Sequence, residues 1–203
     1  LCDVRVVAPV PLHSFSRIPK EETIEGLKVY HPRYFMTPKI FRSLYGFFIF
    51  LSTFLYIKRL KKEFDFDLID AHFVYPDGMA AVLLGKLFGK RVIVTARGTD
   101  INLYPKFLMR RKMIKYTLEG SDHIIAVSQY LKDIMTGLGT PKEKISVIPN
   151  GIDQKKFFPV SKLEARTLLS LPHDKKILLS LGLLIERKGF HYLIEAFRYL
   201  KRD

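Results

Sequence analysis

The chain has 203 residues, 48% hydrophobic and 27% charged, a balance that excludes a disordered chain and is enough for one full α/β domain and part of another. A formal charge of +14 favours an anionic partner, whether nucleic acid, a phosphorylated small molecule or an acidic membrane surface. The single cysteine, Cys2, excludes an internal disulfide framework and a cysteine-based metal cluster, so a reducing compartment is expected.

Residues 4–8 form an apolar run that predicts a strand, with no Met and no signal-peptide core ahead of it. Residues 27–30 predict a second, shorter strand. The chain opens on one core element and stops straight after another, so it is expected to be part of a longer protein. Residues 44–57 are fourteen in a row without a charge, rich in Phe and Tyr, and the basic run Lys58, Arg59, Lys61, Lys62 follows. A bilayer span needs about 20 residues, so this segment predicts either a buried domain-edge helix or an interfacial helix resting on anionic lipid through residues 40–62.

From residue 67 onward, short apolar runs alternate with helical ones. Strands are predicted at 68–71, 92–95, 123–127, 145–148 and 177–181, each short enough and apolar enough to be buried on both faces. Helices are predicted at 78–88, closing at Gly89, at 106–119, and from Ser128, an N-cap residue, to Gly139. Leu131, Ile134, Met135 and Leu138 share one face of that third helix. A short polar helix near 161–169 follows the turn chemistry of 149–159, and Phe190, Leu193, Ile194, Phe197 and Leu200 keep helical spacing at the end. This order predicts an α/β fold, a doubly wound parallel, Rossmann-like sheet in residues 1–155, with a second Rossmann-like domain starting at 156–203.

In such a sheet, ligands bind beyond the carboxyl ends of the strands. The residues following each predicted strand include His72, then Arg97, Gly98, Thr99 and Asp100, then Ser128, then Asn150, Gly151 and Asp153, then Gly182, Arg187 and Lys188. An Arg and an Asp beside a Gly suit hydroxyls and phosphates, and a Lys-Gly pair at a helix start suits phosphate. Ser128 has a second reading as a cap, His72 as a core histidine, and Asn150-Gly151 as a turn. No Walker loop, complete Gly-x-Gly-x-x-Gly or HExxH is present, and Gly137-Leu138-Gly139 follows a helix rather than a strand. Asp65-Phe66-Asp67 has the Asp-x-Asp form of a metal-dependent sugar transferase, but it precedes its strand, at the edge opposite the expected pocket.

Five stretches occur together in order. They are 67–78 (Asp-Leu-Ile-Asp-Ala-His-Phe-Val-Tyr-Pro-Asp-Gly), 92–102 (Val-Ile-Val-Thr-Ala-Arg-Gly-Thr-Asp-Ile-Asn), 122–128 (Asp-His-Ile-Ile-Ala-Val-Ser), 147–153 (Val-Ile-Pro-Asn-Gly-Ile-Asp) and 181–189. In these the chain resembles the family 4 retaining glycosyltransferases, which have two Rossmann-like domains in the GT-B architecture. The resemblance implies transfer of a hexose-type sugar from a nucleotide-sugar donor to a glycan or lipid-linked acceptor, with retention and without a bound metal or other cofactor. It places the acceptor on the N-terminal domain and the donor mainly on the C-terminal one. It assigns His72, Arg97 and Asp100 to the catalytic region, Gly98, Thr99, Ser128, Asn150, Gly151 and Asp153 to substrate contacts, and Gly182, Arg187 and Lys188 to the donor diphosphate.

The chain departs from the family at two positions. Arg97 stands where a His is common, and Leu183 where an Arg is common. The resemblance also puts a Gly-rich loop before residue 1 and a Glu-x7-Glu segment after residue 203, so the chain by itself is expected to be inactive. The basic charge and the Phe-rich segment favour a setting in cell-envelope polysaccharide or glycolipid synthesis, in the cytoplasm or peripherally on the inner membrane face. Two rivals use the same charge: a nucleic-acid-binding module, for which no RNA or DNA signature is present, and a membrane-surface module without catalysis.

Overall fold

Each apolar run after residue 67 is too short to bury itself, and the chain solves this by laying four of them side by side. In the computed structural model, which describes residues 2–12, 18–36 and 42–199, the first strands are β1 (Arg5–Val7), β2 (Val10–Pro11), β3 (Glu21–Ile24), β4 (Leu27–Tyr30) and β5 (Arg33–Tyr34). Then follow α1 (Tyr45–Glu63), β6 (Leu68–His72), α2 (Met79–Phe88), β7 (Arg91–Ala96), the single turn α3 (Thr99–Asn102), α4 (Leu108–Gly120), β8 (His123–Ala126), α5 (Gln129–Gly137) and β9 (Ile145–Val147). The last two helices are α6 (Lys162–Leu168) and α7 (Phe190–Phe197). The chain divides into two units, Leu1–Gly151 and Ile152–Asp203.

In the first unit β6, β7, β8 and β9 are parallel neighbours in that order. The register sets His72 opposite Thr95 and Ala96 opposite Ala126, so the carboxyl ends of the strands finish level with one another. A smaller sheet holds β1 parallel to β4 with β3 antiparallel on the far side, and β2 pairs with β5. The core gathers Val92, Val94 and Ala96 of β7 with Val82 of α2, Ile114 and Leu118 of α4, Ile124 of β8, and Leu131 and Met135 of α5. Each large side chain here contributes on the order of 1.5–3 kcal/mol by leaving water. Helix α2 approaches β7 closely through Gly85, where a Cβ would lie 2.3 Å from Val92 Cγ2. Gly89 ends α2 in a left-handed conformation, φ 64°, as a C′ glycine does.

The strand predicted at 177–181 is absent: these residues carry no regular structure, and Leu179 and Leu181 are 85% and 93% exposed. A parallel strand is held by its neighbours, and among the described residues of the second unit there is no other strand to pair with it. Helices α6 and α7 form as their patterns predict, with Ser161 Oγ accepting from Glu164 N at the start of α6. Leu200 lies outside the described residues.

The uncharged aromatic segment folds as α1. Gly46, Ile49, Thr53 and Ile57 are buried, Gly46 packing against Met79 and the carbonyl of Pro76. The opposite side leaves Phe47, Leu51 and Leu55 exposed, with Lys58, Arg59 and Lys62 exposed at the end. No helix among the described residues is long and apolar enough to cross a membrane. Residues 40 and 41 of the predicted interfacial segment lie outside the described residues.

Candidate functional site

The level carboxyl ends of β6 and β7 bring together two side chains that are 25 positions apart. Arg97 is exposed one residue past β7 and donates from Nε to His72 Nδ1 at 3.2 Å and from Nη1 to Asn150 Oδ1 at 2.7 Å. A guanidinium only donates, so Nδ1 of His72 accepts and the ring proton sits on Nε2. That nitrogen faces Asp70 Oδ2 at 3.5 Å. Asp70, His72, Arg97 and Asn150 thus form one polar row across the ends of β6, β7 and β9.

Asp100 does something different from its neighbours. It is fully buried, and its carboxylate accepts from Val74 N at 2.8 Å, Gly98 N at 2.8 Å and Arg97 N at 3.2 Å. It ties the loop after β6 to the loop after β7. Gly98 permits this turn because its φ is +138°, where a side chain would be strained. Thr99, half-buried, opens α3.

Ser128 is the N-cap of α5, its Oγ accepting from Leu131 N at 3.4 Å. It lies past the end of β8, between the ends of β7 and β9. Asn150 and Gly151 are exposed beyond β9. The remaining predicted residues belong to the second unit. Asp153 is exposed and accepts from Lys155 N. Gly182 takes φ +157°, and a Cβ there would lie 3.7 Å from Cδ of Lys188, so the lysine stem runs beside that glycine. Arg187 and Lys188 are exposed in the turn just before α7, which Gly189 ends at φ 70°. Two clusters result, a polar row in the first unit and a cationic turn in the second.

Two residues of the first cluster were not picked out from sequence. Asp70 stands two positions before His72 on one strand, and that spacing places both on the same face. Asp77 is half-buried after Pro76. Burial pushes its carboxyl up to about 6, a backbone N–H of its own offsetting part of the rise and the Asp100 carboxylate adding to it. Its signal was the Pro-Asp-Gly run ahead of α2, which sequence alone reads as a helix start.

Asp65 of the Asp-x-Asp run pairs with Lys90 at 2.9 Å, and the ammonium lowers its carboxyl. A cavity of about 520 Å³ lies away from the strand ends, between the small sheet and α1. Three carboxylates, Glu21, Glu22 and Glu63, line it against two cations, Lys28 and Arg59, and it does not lie at the carboxyl ends of β6 to β9, so the strand-end cluster is the better candidate.

The sequence profile of Glycosyltransferase Family 4 matches residues 2–156. TuaC of Bacillus subtilis strain 168, named as a teichuronic acid biosynthesis glycosyltransferase, is 28% identical over 98% of this chain and 54% of its own length. The amylovoran biosynthesis glycosyltransferase AmsK of Erwinia amylovora is 32% identical over 70% of this chain and 34% of its own length. The chain therefore spans about half the length of the first of these relatives and a third of the second. Among solved structures, Anabaena Alr3699/HepE in complex with UDP superposes with a TM-score of 0.62 at 19% identity, over 86% of this chain and 45% of that one. That likeness supports the α/β, Rossmann-like fold of GT-B type. With most of its length matched by the family profile and its parallel sheet in place, the chain belongs to glycosyltransferase family 4.

Proposed function

We propose that the protein transfers a hexose-type sugar from a nucleotide-sugar donor to a glycan or lipid-linked acceptor, with retention of anomeric configuration, in the synthesis of a cell-envelope polysaccharide or glycolipid. The observation that carries this is the polar row joining His72, Arg97 and Asn150, held in place by the buried Asp100. Such a row offers a charged donor and several neutral hydroxyl partners at one sheet edge, which suits a sugar and an incoming acceptor hydroxyl. The names of TuaC and AmsK support a polymer as the acceptor, and the UDP in the HepE complex supports a nucleotide-linked donor.

In this scheme the bond from the anomeric carbon to the diphosphate oxygen breaks, and the acceptor oxygen bonds to that carbon on the same face. The acceptor's proton passes to the departing diphosphate oxygen. Arg187 and Lys188 stabilise the charge gathering on the diphosphate, and Arg97 orients the sugar through the row it organises. The scheme uses no metal and no other cofactor. The exposed Phe47, Leu51 and Leu55 of α1, with the basic residues that follow, support a peripheral contact with anionic lipid on the cytoplasmic side.

The test is incubation of the complete protein with a panel of nucleotide sugars while nucleoside diphosphate release is followed. Release with one donor, lost in Lys188→Ala, is expected. A folded protein that releases nothing from any donor, with glycan and lipid-linked acceptors supplied, sinks the proposal and moves the weight to the membrane-surface module without catalysis.

A further inference from the structure

Three residues beyond Asp100 the chain leaves the strand-end cluster and exposes an apolar tip. Leu103, Phe107, Leu108 and Met109 are all exposed, Leu108 at 77%. From residue 101 to residue 118 there is no acidic residue, while Lys106, Arg110, Arg111, Lys112 and Lys115 fall in that stretch. None of these five makes an ion pair with a carboxylate among the described residues. Arg110 lies over the rings of Tyr104 and Phe107, at 4.9 and 4.8 Å from their centroids, which stiffens the tip at the start of α4.

The tip is also anchored to the rest of the unit. Tyr104 meets Tyr75 edge to face, with centroids 6.4 Å apart. The first turn of α1 packs on the same 74–79 segment through Gly46. The exposed Phe47 of α1 and the exposed tip before α4 therefore both border that segment, and the tip leads straight out of the loop that Asp100 pins.

We propose that residues 103–112 seat on an anionic lipid surface, with Phe107, Leu108 and Met109 entering the headgroup region and Lys106, Arg111 and Lys112 facing lipid phosphates. Exposed apolar side chains interspersed with cations that form no ion pair among the described residues, in a stretch of sequence without a carboxylate, complement such a surface in both hydrophobicity and charge. Docking there holds the carboxyl ends of β6 and β7 beside the membrane plane, where a lipid-borne acceptor would arrive. That last consequence rests on the transferase proposal above, whereas the docking itself does not.

The 203 residues contain no tryptophan, so Leu108→Trp places a reporter at the tip that is read as the difference from the parent protein's spectrum. Leu168→Trp, exposed on α6 of the second unit, is the control. The complete protein carrying each substitution is mixed with phosphatidylglycerol-rich vesicles or with pure phosphatidylcholine vesicles, with and without brominated lipid. A blue shift and bromine quenching for Leu108→Trp in the anionic vesicles alone, reversed by salt, are expected, with neither seen for Leu168→Trp. The pair Arg111→Ala and Lys112→Ala, in a protein with unchanged circular dichroism, should weaken vesicle partitioning on the order of tenfold.

An unshifted Leu108→Trp spectrum overturns the proposal, as does equal quenching at both sites or partitioning indifferent to the two cations. A shift that depends on protein concentration without vesicles also overturns it, and points to a second copy of the chain on this tip. Vesicle docking without sugar transfer would count against the transferase proposal alone, and transfer without docking against this one alone.

Discussion

Asp100 offers the sharpest test of how the strand-end cluster is built. Replacing it by Ala removes an acceptor that serves three backbone N–H groups, those of Val74, Arg97 and Gly98. Val74 is fully buried, so its N–H would lose its partner with no access to water, at about 1–3 kcal/mol. Arg97 is exposed and Gly98 half-buried, so water can replace the lost bonds there and each costs about 1 kcal/mol or less. Relief of a buried charge next to Asp77 offsets part of this, and the net loss is about 2–4 kcal/mol, confined to the loops after β6 and β7. Asp100→Asn keeps one acceptor oxygen but turns an amide N–H₂ toward a donor, and should lose roughly half as much. Native-state hydrogen exchange reads this directly, because local opening is reported amide by amide. The amides of Val74 and Gly98 should lose protection in Asp100→Ala while those of Val94 and Ile124 keep theirs. Unchanged protection at Val74 and Gly98 would refute the clamp.

Asp77 gives a pH prediction. Its folded-state pKa of about 6 exceeds the ordinary carboxylate value, so the native state holds the proton more tightly. Stability from this group is present at low pH and is lost as pH rises through about 6, by roughly 1–3 kcal/mol after allowance for its partial exposure. In Asp77→Asn the fall in Tm between pH 4 and pH 7 should shrink, and an unaltered pH slope would count against the buried carboxyl. Arg97→Lys leaves one ammonium where a guanidinium bridges His72 and Asn150. It should cut kcat/KM by roughly ten- to a hundredfold with no change in Tm. Nitrogen-15 NMR of His72 should show the Nε2–H tautomer in the parent and a mixture in Arg97→Lys; identical spectra would remove the bridge from the account. Gly85→Ala drives a Cβ into Val92 and the carbonyl of Lys90, and should destabilise the first unit by about 1–3 kcal/mol in a urea titration.

Much of the first unit was legible because the physical signals there are local. The apolar runs at β6, β7, β8 and β9 end at turn or charged residues, and Gly89 and Ser128 mark helix ends by conformation and capping. Strand ends could be located to within a residue or two, and the level register then put His72 and Arg97 at one edge. Two things were not local. The run 177–181 has strand character, yet strandedness requires a neighbour to accept its hydrogen bonds, and the second unit supplies none among the described residues. Asp100, after a glycine and beside an arginine, reads from sequence as a ligand contact. Only its burial and the aim of three backbone N–H groups reveal a clamp. Asp77 was missed for the opposite reason: its sequence position looks like an ordinary helix start, and its unusual protonation comes from packing and from Asp100 far along the chain.

The central claim is sugar transfer with retention at the edge organised by Arg97 and Asp100. It is tested most directly by proton NMR of the first product formed from an α-linked nucleotide sugar, observed before any anomeric equilibration. The account predicts an α-linked product whose appearance tracks nucleoside diphosphate release and is lost in Arg97→Ala. A β-linked product, or transfer that proceeds at the parent rate in Arg97→Ala, would contradict it.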